Sequence, residues 1–312
     1  MSQSAAPLHI RPLDAALGAV IGDLDVRHPD AATQAALRAA LLEHLVLILP
    51  GQQLAVDEVG PVIRRFGTPL ISRELNRGKI ADPVYDLTVF PPEITAISNL
   101  KMNGQAIGHL GDAEVVWHSD HSYAERPAAI RMLAGHEVPP PAAGGNTGFL
   151  NLYAAYATLP RDLKQAVHGR SIKHDNAISV TLEWRADADR DQPIDQVPGM
   201  HHPIVVTHPE TGCNSLFLGR RARAHVDGMS VADSEALLDA LWAHATQERF
   251  CIEHVWSQGD MVIWDNRATL HRRGSFDPAA RRLLYAAQVE GERPVEAADA
   301  RQRPAHPRYR PV

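Results

Sequence analysis

Only two cysteines, Cys213 and Cys251, occur in 312 residues. That number excludes a disulfide framework, and two ordinary thiols in a reducing compartment are expected. Aromatic residues make up 5% of the chain, so the core must be packed mainly by aliphatic side chains. Long hydrophobic runs are missing as well: Leu45-Val46-Leu47-Ile48-Leu49 has the length of a buried strand and falls far short of a bilayer. The opening Met1-Ser2-Gln3-Ser4-Ala5-Ala6-Pro7 has no basic patch followed by an apolar stretch, so no signal peptide and a cytoplasmic location are expected. Positive charge is not in surplus. The formal net charge of -6 argues against nucleic-acid and anionic-membrane partners and leaves a small molecule as the expected one.

What is present fits a globular β-rich protein. With 45% hydrophobic and 22% charged residues there is material for a core, and one β-rich domain with helical insertions can reach this length, so a single domain over 1–312 is expected. Strands are predicted at Leu8–Pro12, Gly18–Ile21, Leu45–Leu49, around Ile97–Leu100 and at Ala129–Leu133. Asp30 caps a helix of good helix formers over Ala31–Leu42, and a second helix, Val56–Phe66, is predicted to close at Gly67. Asn151 and Ser230 are further caps, the latter for a helix carrying Leu237, Leu238, Leu241 and Trp242 on one side. The alternation from Phe250 to Trp256, followed by Gly259-Asp260 and Met261–Trp264, reads as a hairpin. Residues 176–200 are polar and show no period, which suggests a lid or substrate loop. The proline- and arginine-rich 293–312 reads as a surface tail.

Val116-Trp117-His118-Ser119-Asp120 carries the chemistry. If Trp117–His121 is a strand, residues two apart share a face, so His118 and Asp120 reach one metal while Ser119 and His121 turn away. A further imidazole, His271 in Trp264-Asp265-Asn266-Arg267-Ala268-Thr269-Leu270-His271, completes the two-histidine, one-carboxylate set of a non-haem Fe(II) site. Taken alone, His-x-Asp is a weak signal.

Its company is more specific. Thr147 follows in Gly144-Gly145-Asn146-Thr147, and Arg282 lies beyond His271. The ordered set His118, Asp120, Thr147, His271, Arg282 resembles that of the taurine dioxygenase and phenoxyacetate-herbicide dioxygenase family of Fe(II)/2-oxoglutarate enzymes. The resemblance extends from Ile10-Arg11-Pro12-Leu13 through Arg65-Phe66-Gly67 and His208-Pro209-Glu210-Thr211-Gly212 to Trp264-Asp265-Asn266-Arg267. It implies a β-rich α+β fold, a double-stranded β-helix (jelly-roll) core with flanking helices, and commonly a homo-oligomer. It also implies Fe(II) on His118, Asp120 and His271, with 2-oxoglutarate and O2 as co-substrates. The Arg282 guanidinium and the Thr147 hydroxyl would hold the distal carboxylate of 2-oxoglutarate. The implied reaction is oxidation, by default hydroxylation, of an unactivated C–H bond with conversion of 2-oxoglutarate to succinate. Desaturase or cyclase activity is an alternative, and because Asp120 fills the carboxylate position, halogenation is not expected.

Two departures from the family pattern bear on the substrate. Where the family carries a second arginine four residues after the first, this chain has Ala286, and a histidine that helps bind sulfonate corresponds to Ser72. Each lost charge-assisted contact is worth about 1.5 to 3 kcal/mol, so neither taurine nor a phenoxyacetate is expected as the native substrate. Ser72, Asn99, Ser122, Tyr123 and Ala286 flank the motif residues and are candidates for the substrate wall. The rival readings are a non-catalytic metal-binding jelly-roll and a zinc hydrolase. Neither has a use for Thr147 and Arg282.

Overall fold

The computed structural model describes residues 8–71, 91–197 and 199–297. Strands β1 (His9–Pro12) and β2 (Ala19–Gly22) precede helix α1 (Ala31–His44), whose Asp30 cap accepts from the Thr33 N–H at 2.7 Å. Leu45, at φ 65, ends the helix and turns the chain straight into β3 (Val46–Leu49). Helix α2 (Val56–Arg64) stops short of the expected Gly67. Its last turn tightens, with the Arg65 N–H bonded to Val62 O and the Phe66 N–H to Ile63 O, so the end is made before the glycine is reached.

Short strands follow: β4 (Thr95–Ser98), β5 (Lys101–Met102), β6 (Gln105–Ala106), β7 (His109–Leu110) and β8 (Val115–His118). Then come β9 (Ile130–Glu137), β10 (Thr147–Asn151), α3 (Leu152–Ala157), α4 (Arg161–Val167) and β11 (Ser171–Asp175). The chain continues through β12 (Gly199–Pro203), β13 (Val205–Thr207), β14 (Asn214–Leu216), β15 (His225–Val226) and α5 (Val231–Ala245). It finishes with β16 (Cys251–His254), β17 (Met261–Asp265), β18 (Thr269–Arg273) and β19 (Leu283–Val289).

The large sheet has eight strands in the order β1-β2-β3-β17-β9-β19-β4-β7, and a second sheet has four, β16-β10-β18-β8. Strands β17 and β19 are buried at every residue because the large sheet is covered on both faces. Alternation divides their side chains. Met261, Ile263, Leu283 and Tyr285 join Leu37, Leu41, Val59 and Val62 of the two early helices in one apolar cluster. Val262, Trp264, Leu284 and Ala286 join Phe149 and Leu270 of the four-stranded sheet in the other. The Phe149 and Trp264 rings meet edge to face at 5.1 Å.

The expected hairpin at 250–264 does not form. Strand β16 pairs with β10 in the small sheet, while β17 pairs with β3 and β9 in the large one. The Gly259-Asp260 turn therefore carries the chain from one sheet to the other, held where the Gly135 N–H bonds to Asp260 O and the Gly259 N–H to Gly135 O. Alternation cannot distinguish a hairpin return from a change of sheet, since both strands keep one face in the same core.

Only residues 293–297 of the expected surface tail are among the described residues, and Val295 there is exposed. Before the chain leaves the described residues it is tied to β13, the Thr207 N–H bonding to Val295 O and the Ala297 N–H to Val205 O. Among the described residues no helix is long and apolar enough to cross a membrane.

Candidate active site

Strand register brings the candidate ligands together. In the small sheet His271 of β18 stands opposite His118 of β8, and their rings lie 4.1 Å apart. The register shifts between His271 and Arg273, so β8 carries a bulge beside the site, a device that re-aims side chains. Strand β8 ends at His118, two residues earlier than a shared strand face would require. Asp120 instead lies in a turn, and His121 adopts φ 57.

Asn266 holds that turn. Its Oδ1 accepts from the Asp120 N–H at 3.1 Å, its Nδ2 donates to Asp120 O at 3.1 Å, and the Ser119 hydroxyl donates to Asn266 O at 3.0 Å. On the other side the Ser119 N–H bonds to Gly219 O at 2.9 Å. Gly219, at φ +61, leaves no room for a side chain, since a Cβ there would stand 2.1 Å from His174 Nδ1.

The resulting triad is compact. Asp120 Oδ1 is 3.6 Å from His118 Nε2 and Oδ2 is 3.4 Å from His271 Nε2, and one ligand atom from each residue lies within 4.8 Å of the others. The His118 Nδ1–H donates to Val116 O at 2.8 Å, which leaves Nε2 with its lone pair toward the gap. Burial, reinforced by His118, pushes the His271 imidazole well below its usual pKa and keeps it neutral. Burial alone would raise the Asp120 carboxyl, but Arg131, His271 and His118 outweigh it and hold the group well below the carboxylate range. Arg131 Nη1 donates to Asp120 Oδ2 at 2.5 Å. Two imidazoles and a carboxylate on one side of a gap match the donor set of a divalent iron site with open positions.

The triad faces a cavity of about 570 Å³. Thr147 and Arg282 line it, both almost fully buried. The Thr147 hydroxyl oxygen accepts from Trp256 Nε1–H at 2.9 Å, so its own proton is available to an acceptor in the cavity. Arg282 Nε and Nη1 are buried without a hydrogen-bond partner, and so are Arg273 Nε and Nη1. The ring of Phe276 lies beside both guanidiniums, 5.7 Å from that of Arg282 and 5.2 Å from that of Arg273. The Gly144-Gly145 turn is what allows Phe276 in: a Cβ on Gly144, at φ +86, would meet Ser275 O at 2.7 Å. Burial, with Arg273 adding to it, lowers the Arg282 guanidinium to about 9. Among the described residues neither guanidinium has a carboxylate within ion-pair distance, though Asp112 is near enough to act on Arg273, and with the Thr147 hydroxyl proton beside them they are arranged for a carboxylate.

Of the expected substrate-wall residues, Ser122 and Tyr123 line this cavity. Asn99 and Ala286 are not among its lining residues. The Asn99 amide is engaged elsewhere, donating to Ala280 O at 2.8 Å and accepting from the Arg282 N–H at 3.0 Å, so it braces the segment that delivers Arg282. Ala286 lies on the same face of β19 as Leu284 and is buried with it in the core. Ser72 lies outside the described residues. His121, expected to face away, lines the cavity because the strand has already ended. From the expected lid, Ser179, Val180, Thr181, Glu183 and Arg185 line the cavity, and Val180 O accepts from the Val116 N–H at 3.0 Å.

Sequence reasoning missed Arg131, Asn266 and Arg273. A charge amid Ala129-Ile130-Met132-Leu133 was the available signal for Arg131, and a place two residues after His271 on one strand was the signal for Arg273. A second hollow, of about 320 Å³, is lined by residues such as Val206, Phe217 and Val295 and includes no member of the triad.

Residues 9–288 match the family described as taurine catabolism dioxygenase TauD, TfdA family. The chain belongs to this family. It is 36% identical over 299 residues to the alpha-ketoglutarate-dependent 2,4-dichlorophenoxyacetate dioxygenase of Cupriavidus pinatubonensis, covering 91% of this chain and 96% of that protein. It is 32% identical over 296 residues to the pentalenolactone F synthase of Streptomyces arenae, covering 89% and 93%. Among solved structures, a taurine dioxygenase from Burkholderia xenovorans superposes with a TM-score of 0.73 at 29% identity, covering 97% of this chain and 99% of that one. As a TauD/TfdA-family member the chain is an alpha-ketoglutarate-dependent dioxygenase, an oxidoreductase whose relatives act on small molecules.

Proposed function

We propose that this dioxygenase hydroxylates an unactivated C–H bond of a small molecule, using Fe(II) held by His118, Asp120 and His271 on a jelly-roll core. When bound, Fe(II) together with 2-oxoglutarate and O2 supplies the oxidising power, with 2-oxoglutarate converted to succinate. Thr147 and Arg282 bind the distal carboxylate of 2-oxoglutarate, and Arg273, two residues beyond His271, adds a second cation to the same subsite. Arg131 and Asn266 orient Asp120, the first through its carboxylate and the second through its backbone. Segment 178–185 acts as a lid that excludes water from the cavity.

The observation that carries the reading is the buried pair Arg282 and Arg273, each with two guanidinium nitrogens that lack a hydrogen-bond partner among the described residues, in the cavity that the triad faces. A zinc hydrolase or a metal-storing module has no use for two such guanidiniums. Ala286, sunk in the core, puts no charge where the family's second arginine would stand, so neither taurine nor a phenoxyacetate is the native substrate.

The test is oxygen-dependent release of succinate by protein loaded with iron under argon, across a panel of small molecules, with product analysis for an inserted hydroxyl. His271→Ala should lose both iron and turnover. Retention of iron by that variant, or rapid turnover of taurine or a phenoxyacetate by the parent enzyme, would overturn the corresponding part.

A further inference from the structure

Resting on the dioxygenase reading, we propose that Gln288 and His121 form a specificity-determining subsite for a neutral polar group on the substrate, a hydroxyl or a primary amide. Arg131 completes it from the neighbouring strand.

Strand register builds it. Gln288 of β19 stands directly opposite Arg131 of β9, and opposed residues on paired strands carry neighbouring side chains. Arg131 reaches Asp120 at 2.5 Å, and the next residue, His121, has the Gln288 amide beside its ring. A histidine rarely adopts the left-handed region, and here φ 57 brings the imidazole to the cavity instead of away from it. All three side chains border the cavity, and Gln288 is only 7% exposed. Each carries a buried polar atom without a hydrogen-bond partner. Gln288 Oε1 accepts, Arg131 Nε donates, and His121 Nδ1 does either according to its tautomer.

Buried polar atoms left unpaired are costly, so three of them around one part of a cavity point to a ligand that satisfies them. The charge of that ligand group follows from its surroundings. The Arg131 guanidinium is already met by the Asp120 carboxylate and by the Trp264 ring, 5.9 Å away. An oxyanion here would face Gln288 Oε1 and the Asp120 carboxylate, and a cation would face Arg131, so the group that fits is neutral. A hydroxyl both donates and accepts, as does a primary amide, and either can take its donor to Gln288 and its acceptor to Arg131. The 2-oxoglutarate anchor is elsewhere. Arg282, just before β19, lies six residues from Gln288, about 20 Å of extended chain, so the two subsites occupy different ends of the strand.

The test uses iron-loaded enzyme saturated with 2-oxoglutarate under argon and titrated calorimetrically with matched compounds on cyclohexyl, phenylalkyl and polycyclic skeletons. Each skeleton carries a hydroxyl, a methyl ether, a primary amide or an N,N-dimethyl amide, and succinate release is then measured on admitting O2. The wild type should bind at least one alcohol or primary amide about tenfold more tightly than its methylated partner, because methylation removes the donor and leaves Gln288 unsatisfied. Whichever pair shows the preference names the group. Gln288→Met, close in volume but lacking the amide oxygen, should abolish the preference while 2-oxoglutarate affinity, set at a distant site, stays within about twofold. Arg282→Gln should do the reverse, weakening 2-oxoglutarate and leaving the ratio intact. His121→Asn, whose side chain suits the left-handed turn, should lower the ratio several-fold and serves where the Gln288 variant does not fold. Equal binding within every methylated pair by the wild type, binding of no alcohol or primary amide in the panel, or an unchanged ratio in the Gln288 and His121 variants would overturn the assignment. Failure of 2-oxoglutarate itself to bind would instead strike the dioxygenase reading.

Discussion

The Asn266 side chain spans Asp120 as a two-point clasp, accepting from its N–H and donating to its carbonyl, each at 3.1 Å. Asp120, the carboxylate of the candidate metal site, is thus positioned by a residue 146 places away in the chain, because the strand that carries His118 has already ended. Asn266→Ala should weaken divalent metal binding by about 10- to 100-fold, the usual effect of losing a group that orients a ligand. Metal titration of folded variant protein checks this. Wild-type affinity would show that the turn holds its shape unaided.

Thr147 should depend on Trp256. With its oxygen already accepting from the indole N–H, the hydroxyl proton is left to donate into the cavity. Trp256→Phe removes that constraint and should raise the KM for 2-oxoglutarate several-fold, with iron affinity unchanged. Equal changes in both would indicate a general loosening of the sheet.

Arg273 and Arg282 repel one another in the absence of a ligand, and a bound dicarboxylate relieves both. Saturating 2-oxoglutarate should therefore raise Tm in a concentration-dependent way. In Arg273→Ala the ligand-induced shift should shrink while the unliganded Tm stays level or rises. A lower unliganded Tm with an intact shift would assign Arg273 to packing alone.

A pH effect on stability should come from Asp265. It is fully buried between His208, whose Nε2 lies 3.1 Å from Oδ2, and Arg267, at 2.6 Å. Burial would raise its carboxyl, but Arg267 and His208 outweigh that and hold it far below the carboxylate range. A depressed folded-state pKa contributes stability that is present above the unfolded value of about 3.9 and lost as pH falls below it. Tm should fall steeply under about pH 4. Asp265→Asn should cost about 3 to 5 kcal/mol near neutrality and show a shallower acid slope. Parallel acid slopes for the two proteins would remove Asp265 as the cause.

Much of the site was legible because its residues sit at fixed short spacings: His118 and Asp120, Gly144-Gly145 and Thr147, and Arg282 within reach of His271. The helix caps at Asp30, Asn151 and Ser230 were readable for the same reason, since a cap acts on the next three residues. What stayed hidden depends on distant partners. Arg131 gains meaning only beside Asp120, and the side-chain pattern of β16 and β17 is the same whether they pair or part. Asn99 and Ala286 lie next to motif residues, but adjacency in sequence does not say which way a side chain is directed.

The contact between Ser119 and Asn266 joins residues 147 positions apart, and His118 meets His271 across a similar length of chain. During synthesis, therefore, a ribosome that has released β8 still has about half of the protein to make before a metal can be gripped. Non-local pairing of this kind is slow, because the long loop must close before any contact rewards it. Iron capture should mark the completion of folding, and a chain truncated before β18 should retain no high-affinity iron however much of the large sheet it has built.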